Sequence, residues 1–195
     1  PSESHVRCFS RAAPVAVNRR GAGASCAIVG AVPDLLASLA ASVAARLVAR
    51  GDTVAVAESS AGGLISAALL SIPGASAYFM GGGVIYKRAA RRILLAVPDE
   101  AVRGIRSSSE GYAVLKARTV RERLGTTWGL AETGAAGPSG NRYGDPSGHA
   151  CIAVAGPVER ACTVETGGTD REANMWAFTR AALELLEACV LEDVR

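Results

Sequence analysis

The sequence predicts an α/β domain in which helices cover a central sheet. Helical and strand-like apolar patterns alternate along the chain, as expected when helices pack on a sheet. The chain has 195 residues, 49% of them apolar and 20% charged, so it can bury a sizeable core within one domain. Its nearest candidate for a membrane span, residues 35–48, is interrupted by Arg46 and is too short.

The predicted helices have signals at their boundaries. Gly51 ends the first helix, Pro73 ends the second, and Pro98 follows the third. Thr169 or Asp170 caps the last helix. The predicted helices are residues 33–50, 62–71, 88–95, 110–124 and a last helix that continues to residue 192, and the predicted strands are residues 53–57, 83–86, 128–131, 150–154 and 162–165.

Charge and composition exclude several kinds of function. The net charge is only +3, from 21 basic and 18 acidic residues, and the basic residues are scattered, so we expect no nucleic-acid partner. The five cysteines are odd in number and irregularly spaced, and there are only two histidines. Neither a disulfide framework nor a metal site is therefore predicted.

The first 25 residues differ from the rest. They contain four Arg and one Glu, with no apolar period, so residues 1–25 are predicted to be disordered or to form a basic arm on a partner, and residues 26–195 to form the domain. Such segments resemble organelle transit peptides or their remnants, and the chain begins with Pro, as a processed product does. We expect a chloroplast or mitochondrial location, the alternative being a flexible tail on a cytoplasmic protein.

Two segments are candidates for a ligand site. Residues 58–63, ESSAGG, connect a strand to a helix, where backbone N–H groups and the helix dipole favour an anion. Ser59 there serves either as a nucleophile or as a helix cap. Residues 133–148 form a long glycine-rich loop, and such loops are often functional. Arg142 in this loop either clamps a phosphate or is simply solvated.

The sequence around these segments resembles a known family. The run AESSAGGLISAALLSIPGASAYF is similar to the signature of the CinA C-terminal domain family, and VIY, RILLAVPDE, ETGAAGP, DPSG and TDREA follow in the family's order. The resemblance covers roughly residues 33–191 and implies one three-layer domain, often dimeric, with helices around a central mixed sheet. Active members are nicotinamide mononucleotide amidohydrolases, which convert the carboxamide to a carboxylate and release ammonia without a metal or cofactor.

The resemblance also assigns site residues. It places the family's nucleophile on Ser59, its strand-end tyrosine on Tyr86, its Thr-Gly pair on Thr133 and Gly134, and its late arginine on Arg171. These groups suit a serine that attacks an amide carbonyl beside a phosphate clamp. The predicted catalytic residues are Ser59, Tyr86, Arg91 and Thr133, and the predicted substrate-binding residues are Gly62, Gly63, Gly134, Gly137, Arg142 and Arg171.

The family's catalytic lysine is replaced by Arg91. A lysine acts as a base once burial lowers its pKa, whereas arginine keeps its charge and only donates hydrogen bonds. Arg91 is instead expected to bind a phosphate or carboxylate. Lys87 follows Tyr86 directly and is expected to point away from the site, because neighbouring strand residues face opposite sides. His149 is the other alternative base, unless it is a satisfied or exposed histidine.

Other positions also depart from the family. Ser60 and Ala61 stand where the family has Cys and Thr, and Asp145 puts a negative charge in the loop that should meet a phosphate. Three functions therefore stay open: an amidohydrolase with an altered base, an inactive subunit or scaffold of a larger organellar assembly, and a nucleotide-binding sensor. The expected partners are a nicotinamide mononucleotide-like ligand and either a second copy of the chain or a larger complex.

Overall fold

The computed structural model describes residues 34–194; the predicted N-terminal arm lies outside them. The helices are α1 (Asp34–Arg50), α2 (Leu64–Leu70), α3 (Arg88–Leu94), α4 (Glu110–Leu124) and α5 (Arg171–Glu192), and the strands are β1 (Val54–Glu58), β2 (Phe79–Val84), β3 (Trp128–Ala135), β4 (His149–Ala155) and β5 (Arg160–Glu165). None of the helices in this range is long and apolar enough to cross a membrane.

The five strands form one mixed sheet in the order β2-β1-β3-β4-β5. Strand β1 runs parallel to both β2 and β3, whereas β4 runs antiparallel to β3 and to β5. Helices cover both faces, so the predicted α/β architecture with a central mixed sheet is confirmed.

The two faces of the sheet are packed differently. Helices α1, α2 and α5 bury large side chains on one face, among them Leu47, Ile65 and Leu183. Helix α4 covers the other face mainly through alanines. A Cβ on Gly129 would lie 2.0 Å from the carbonyl oxygen of Ala117, so only glycine lets α4 come this close to β3.

Strand β2 lies earlier in the chain than predicted. It spans Phe79–Val84 rather than residues 83–86, because its three consecutive glycines give no apolar alternation from which to recognise a strand. As a result Tyr86 and Lys87 lie beyond the strand, in the connection to α3. The carboxyl ends of the parallel strands β1 and β2 and of β3 meet at one edge of the sheet, where α/β proteins usually bind ligands.

Candidate functional site

A cavity of about 870 Å³ opens beside the carboxyl end of β1. The predicted site residues that line it are Ser59, Tyr86, Arg91, Thr133, Gly134 and Arg142. The predicted residues that are not among its lining are Gly62, Gly63, Gly137 and Arg171. The cavity thus joins residues from four separate parts of the chain that the sequence singled out.

The turn that carries Ser59 is held by a buried carboxylate. Glu132, on β3, is fully buried. Its Oε2 accepts hydrogen bonds from the backbone N–H groups of Ser59 and Ala61, both at 2.9 Å. Its other oxygen accepts a hydrogen bond from the Ser60 hydroxyl. Ser59 itself is half-buried at the cavity wall. Glu132 therefore fixes the backbone of the candidate nucleophile from the buried side of the turn.

A second buried carboxylate, Glu58, occupies the start of α2. It accepts hydrogen bonds from the backbone N–H groups of Gly63, Ile65 and Ser66 at 2.8, 3.1 and 3.0 Å. The expectation of free N–H groups for a ligand anion at this helix start is therefore wrong. The N–H groups bind an internal anion, which also satisfies the helix dipole.

Gly62 and Gly63 shape the turn. Both have positive φ, 70° and 106°, which a side chain would make costly. A Cβ on Gly62 would also lie 2.7 Å from Cε of Met175 on α5. These glycines serve the packing of the turn, and their predicted ligand contact remains a prediction.

Arg91 is buried in the cavity wall, with 4% of its surface exposed. Its guanidinium forms an ion pair with Asp99. Its charge also favours the ionised form of the nearby Tyr112 hydroxyl, although burial outweighs this and raises the pKa of that tyrosine. The Nε of Arg91 has no hydrogen-bond partner within the described part of the chain. Arg91 thus supplies a fixed positive charge, and its Nε is a buried donor without a partner among residues 34–194.

Lys87 lines the cavity together with Tyr86, contrary to the expectation that it points away. Its Nζ lies 5.7 Å from the centre of the Tyr86 ring. The alternation of side chains applies only within a strand, and β2 ends at Val84. Lys87 therefore lies at the cavity beside Tyr86.

The second alternative base, His149, is fully engaged. Its Nδ1 lies 2.5 Å from Oε1 of Glu165, and its Nε2 lies 3.1 Å from the carbonyl oxygen of Ser108. Burial disfavours the charged ring, but the hydrogen bonds to these two acceptors and the charge of Asp145 prevail and raise the pKa of His149. The histidine is a satisfied structural group and does not line the cavity.

Internal hydrogen bonds shape the glycine-rich loop. Oδ1 of Asn141 accepts hydrogen bonds from the N–H groups of Tyr143 and Asp145 at 2.9 and 3.2 Å. The Arg142 guanidinium lies 4.9 Å from the centre of the Tyr143 ring and donates a hydrogen bond to its hydroxyl. Asp145 is paired with Arg106 at 2.6 Å. Its negative charge is therefore balanced, and it is not among the residues that line the cavity.

Arg171 ties the loop to helix α5. Its Nη1 donates a 2.6 Å hydrogen bond to the carbonyl oxygen of Gly137. Asn174 supports the same segment by donating to the carbonyl oxygen of Ala136 at 2.8 Å. The bond between Arg171 and Gly137 thus holds the loop in place. A contact of either residue with a ligand remains a prediction.

Lys87 and Lys116 are the chain's two lysines and thus its two candidate amine bases; the sequence did not place Lys116, which is a fully buried residue of α4. Its Nζ donates a 2.7 Å hydrogen bond to the carbonyl oxygen of Glu132. Burial lowers the pKa of Lys116 to about 8, although the charges of Glu132 and Glu58 oppose that shift. Glu132 is the one charged residue of the apolar segment GLAETG. It was the available signal for Lys116, because a buried carboxylate needs a partner.

Within the described range no three His, Cys, Asp or Glu side chains are grouped so that they could hold a metal ion.

A family model of the CinA C-terminal domain matches residues 36–190. The chain belongs to the CinA C-terminal domain family. This agrees with the resemblance and with the fold.

Curated relatives of this CinA domain are longer proteins. This chain is 41% identical over 177 residues to a CinA-like protein of Gloeobacter violaceus. The match covers 89% of this chain and 40% of that protein. This chain is also 39% identical over 154 residues to a CinA-like protein of Synechocystis, covering 79% of this chain and 36% of that protein. The chain therefore spans less than half the length of these relatives.

Solved structures similar to this CinA domain are matched over nearly their whole length. The competence damage-inducible protein A (ComA) of Klebsiella pneumoniae superposes with a TM-score of 0.76 at 28% identity, covering 81% of this chain and 98% of that one. The competence/damage inducible protein CihA of Agrobacterium tumefaciens superposes with a TM-score of 0.76 at 30% identity. The match covers 83% of this chain and 99% of that one.

Proposed function

We propose that this CinA domain binds a nicotinamide mononucleotide-like ligand and hydrolyses its carboxamide through Ser59. The observation that supports this most strongly is that Ser59, Tyr86, Lys87 and Thr133 line one cavity. A serine hydroxyl beside an amine and further hydroxyls is a set of groups that covalent amide hydrolysis can use.

In the proposed reaction the Ser59 oxygen attacks the carboxamide carbon. A base accepts the serine proton and delivers it to the leaving nitrogen, so that ammonia departs and an ester to Ser59 remains; we assign this role to the amine of Lys87. A water molecule then attacks the ester, the carboxylic acid is released, and the serine regains its proton. Arg91 takes no part as a base because a guanidinium keeps its charge.

The test is ammonia release from nicotinamide mononucleotide by a set of matched variants. Lys87→Met is expected to lower kcat by about 10²–10⁴-fold, the usual contribution of a general base. Arg88→Met removes the same charge from the same cavity wall and is expected to change mainly KM. If Lys87→Met and Arg88→Met have the same effect on kcat, Lys87 is not the base.

A second function, ligand binding without turnover, is favoured by the ion pair between Arg91 and Asp99. Arg91 puts a permanent positive charge where the family has its base. If the domain binds the ligand without turnover, the mononucleotide should raise the melting temperature of the protein while no ammonia is released. A role as a subunit of a larger organellar assembly, or as a homodimer, stays a prediction, which co-migration in cell extract tests.

A further inference from the structure

We propose that the cavity selects a ligand with two acidic groups, a phosphate and a carboxylate, and that Arg91 binds the carboxylate. The acid form of a pyridine mononucleotide should then bind more tightly than its carboxamide. This inference rests on the ligand class of the proposed function, but it does not require turnover.

The first support is the charge of the cavity wall. Four cationic side chains line it, those of Lys87, Arg88, Arg91 and Arg142. Asp99 is the one acidic side chain among the lining residues of the described chain. The three guanidinium groups alone exceed Asp99 by two positive charges, and Lys87 adds a third when its amine carries a proton, which suits a phosphate of about −1.5 to −2 together with one carboxylate.

The second support is that helix α2 has no donors left for a phosphate. Glu58 already accepts hydrogen bonds from the N–H groups of Gly63, Ile65 and Ser66. A ligand anion must therefore be bound by the cationic side chains. Arg88 and Arg142 are exposed at the cavity wall and suit a hydrated phosphate.

The third support is the unused donor of Arg91. Its side chain is 5% exposed, Asp99 pairs with one end of the guanidinium, and the Nε has no partner within residues 34–194. A buried N–H without an acceptor costs about 1–3 kcal/mol, and more on a charged group. The Nε is covered in this structure, so an acceptor reaches it only when the neighbouring side chains move, and a ligand that does so removes this cost.

A carboxylate meets this need better than a carboxamide. It presents two acceptor oxygens and a full charge, whereas an amide presents one acceptor oxygen and an NH₂ group that would face the donors of Arg91. Arginine at this position thus favours the acid, which in the proposed reaction is the product. The exchange of lysine for arginine should appear as a change in ligand preference.

Calorimetry on the Ser59→Ala protein tests this without turnover. Nicotinate mononucleotide and nicotinamide mononucleotide are titrated in parallel, and the acid is expected to bind at least about tenfold more tightly, or 1.4 kcal/mol. Arg91→Gln in this background should abolish the preference. Arg92→Gln, a matched control on an exposed side chain of the same helix, should keep it.

Asp99→Asn provides a second variant, in case Arg91→Gln does not fold. It releases the guanidinium from its ion pair and should strengthen acid binding while changing amide binding little. Equal affinity for the two ligands, or no binding of either, would overturn the inference. Failure of the proposed hydrolysis is seen separately, as absence of ammonia release by the wild-type chain while the acid still binds.

Discussion

Glu132 is the residue that connects the candidate nucleophile to the core. Its carboxylate binds two backbone N–H groups of the Ser59 turn, and its carbonyl oxygen accepts a hydrogen bond from Lys116. Both charged side chains are almost completely buried. The Lys116 ammonium contacts the backbone of Glu132 rather than its carboxylate, but the charges of Glu132 and Glu58 still act on it, and removing one of these buried charges leaves the others less compensated.

We therefore predict that the effects of substituting Glu132 and Lys116 are coupled. Lys116→Met should lower the free energy of unfolding by about 1–3 kcal/mol, because it leaves the Glu132 carbonyl without its donor and removes the positive charge near the buried carboxylates of Glu132 and Glu58. Glu132→Gln should also destabilise the domain, and the double variant should lose clearly less than the sum of the two. Urea unfolding measures all four proteins; strictly additive losses would show that the two charges do not interact.

His149 makes stability depend on pH in the opposite sense from most carboxylates. Its pKa is raised in the folded state by Glu165 and Ser108, against the effect of burial. The folded state therefore holds the proton more tightly than the unfolded chain, whose histidine titrates near 6.5. The stabilisation is complete below that pH and is lost as pH rises through the folded-state pKa.

We predict that His149→Gln weakens the dependence of stability on pH in this window. Wild-type protein should lose stability from about pH 6 upward through neutrality, whereas the variant should change less. Melting curves at constant ionic strength measure this. An identical pH dependence in the two proteins would show that His149 does not hold its proton more tightly in the folded state.

At the scale of elements, the start of α2 is the structure on which the site depends. The helix has only seven residues, so its stability comes from contacts with the rest of the fold rather than from helix propensity. Glu58 supplies three of those contacts through N–H groups of the first turn. It joins the end of β1 to the beginning of the helix and encloses the Ser59 turn.

Glu58→Gln should lower the free energy of unfolding by about 1–3 kcal/mol, since the amide replaces one acceptor oxygen with a donor that faces N–H groups. Glu100→Gln, at an exposed 3₁₀ turn, is the matched control and should change stability by less than about 0.5 kcal/mol. Chemical denaturation compares the two. Similar small losses would mean that the carboxylate is dispensable as a cap.

The elements themselves could be predicted from the sequence. All five helices and five strands were anticipated, because apolar period, glycine and proline mark them locally. Strand β2 was misplaced because its glycines carry no pattern, and this error moved Lys87 to the wrong side of the site. The pairing of Lys116 with Glu132 depends on how α4 packs on β3, which no local pattern specifies.

At the scale of the molecule, the sheet brings distant segments to one cavity. Ser59 follows β1, and Thr133 lies near the carboxyl end of the neighbouring strand β3. Lys87 precedes α3, Arg91 lies on α3, and Arg142 lies in the loop between β3 and β4. Of this set, the family resemblance predicted Ser59 and Thr133 and marked the position of Arg91. It could not reveal the charge of the cavity wall or the occupied helix start, because both depend on which side chains the fold brings into contact.

The most direct measurement of the proposed activity is a balance of products from nicotinamide mononucleotide. Wild-type protein and Ser59→Ala are incubated with the nucleotide, and ammonia and nicotinate mononucleotide are both quantified. We predict equal amounts of the two products from the wild-type chain and none from Ser59→Ala. Release by the wild-type chain that does not exceed the Ser59→Ala background would contradict hydrolysis of this substrate.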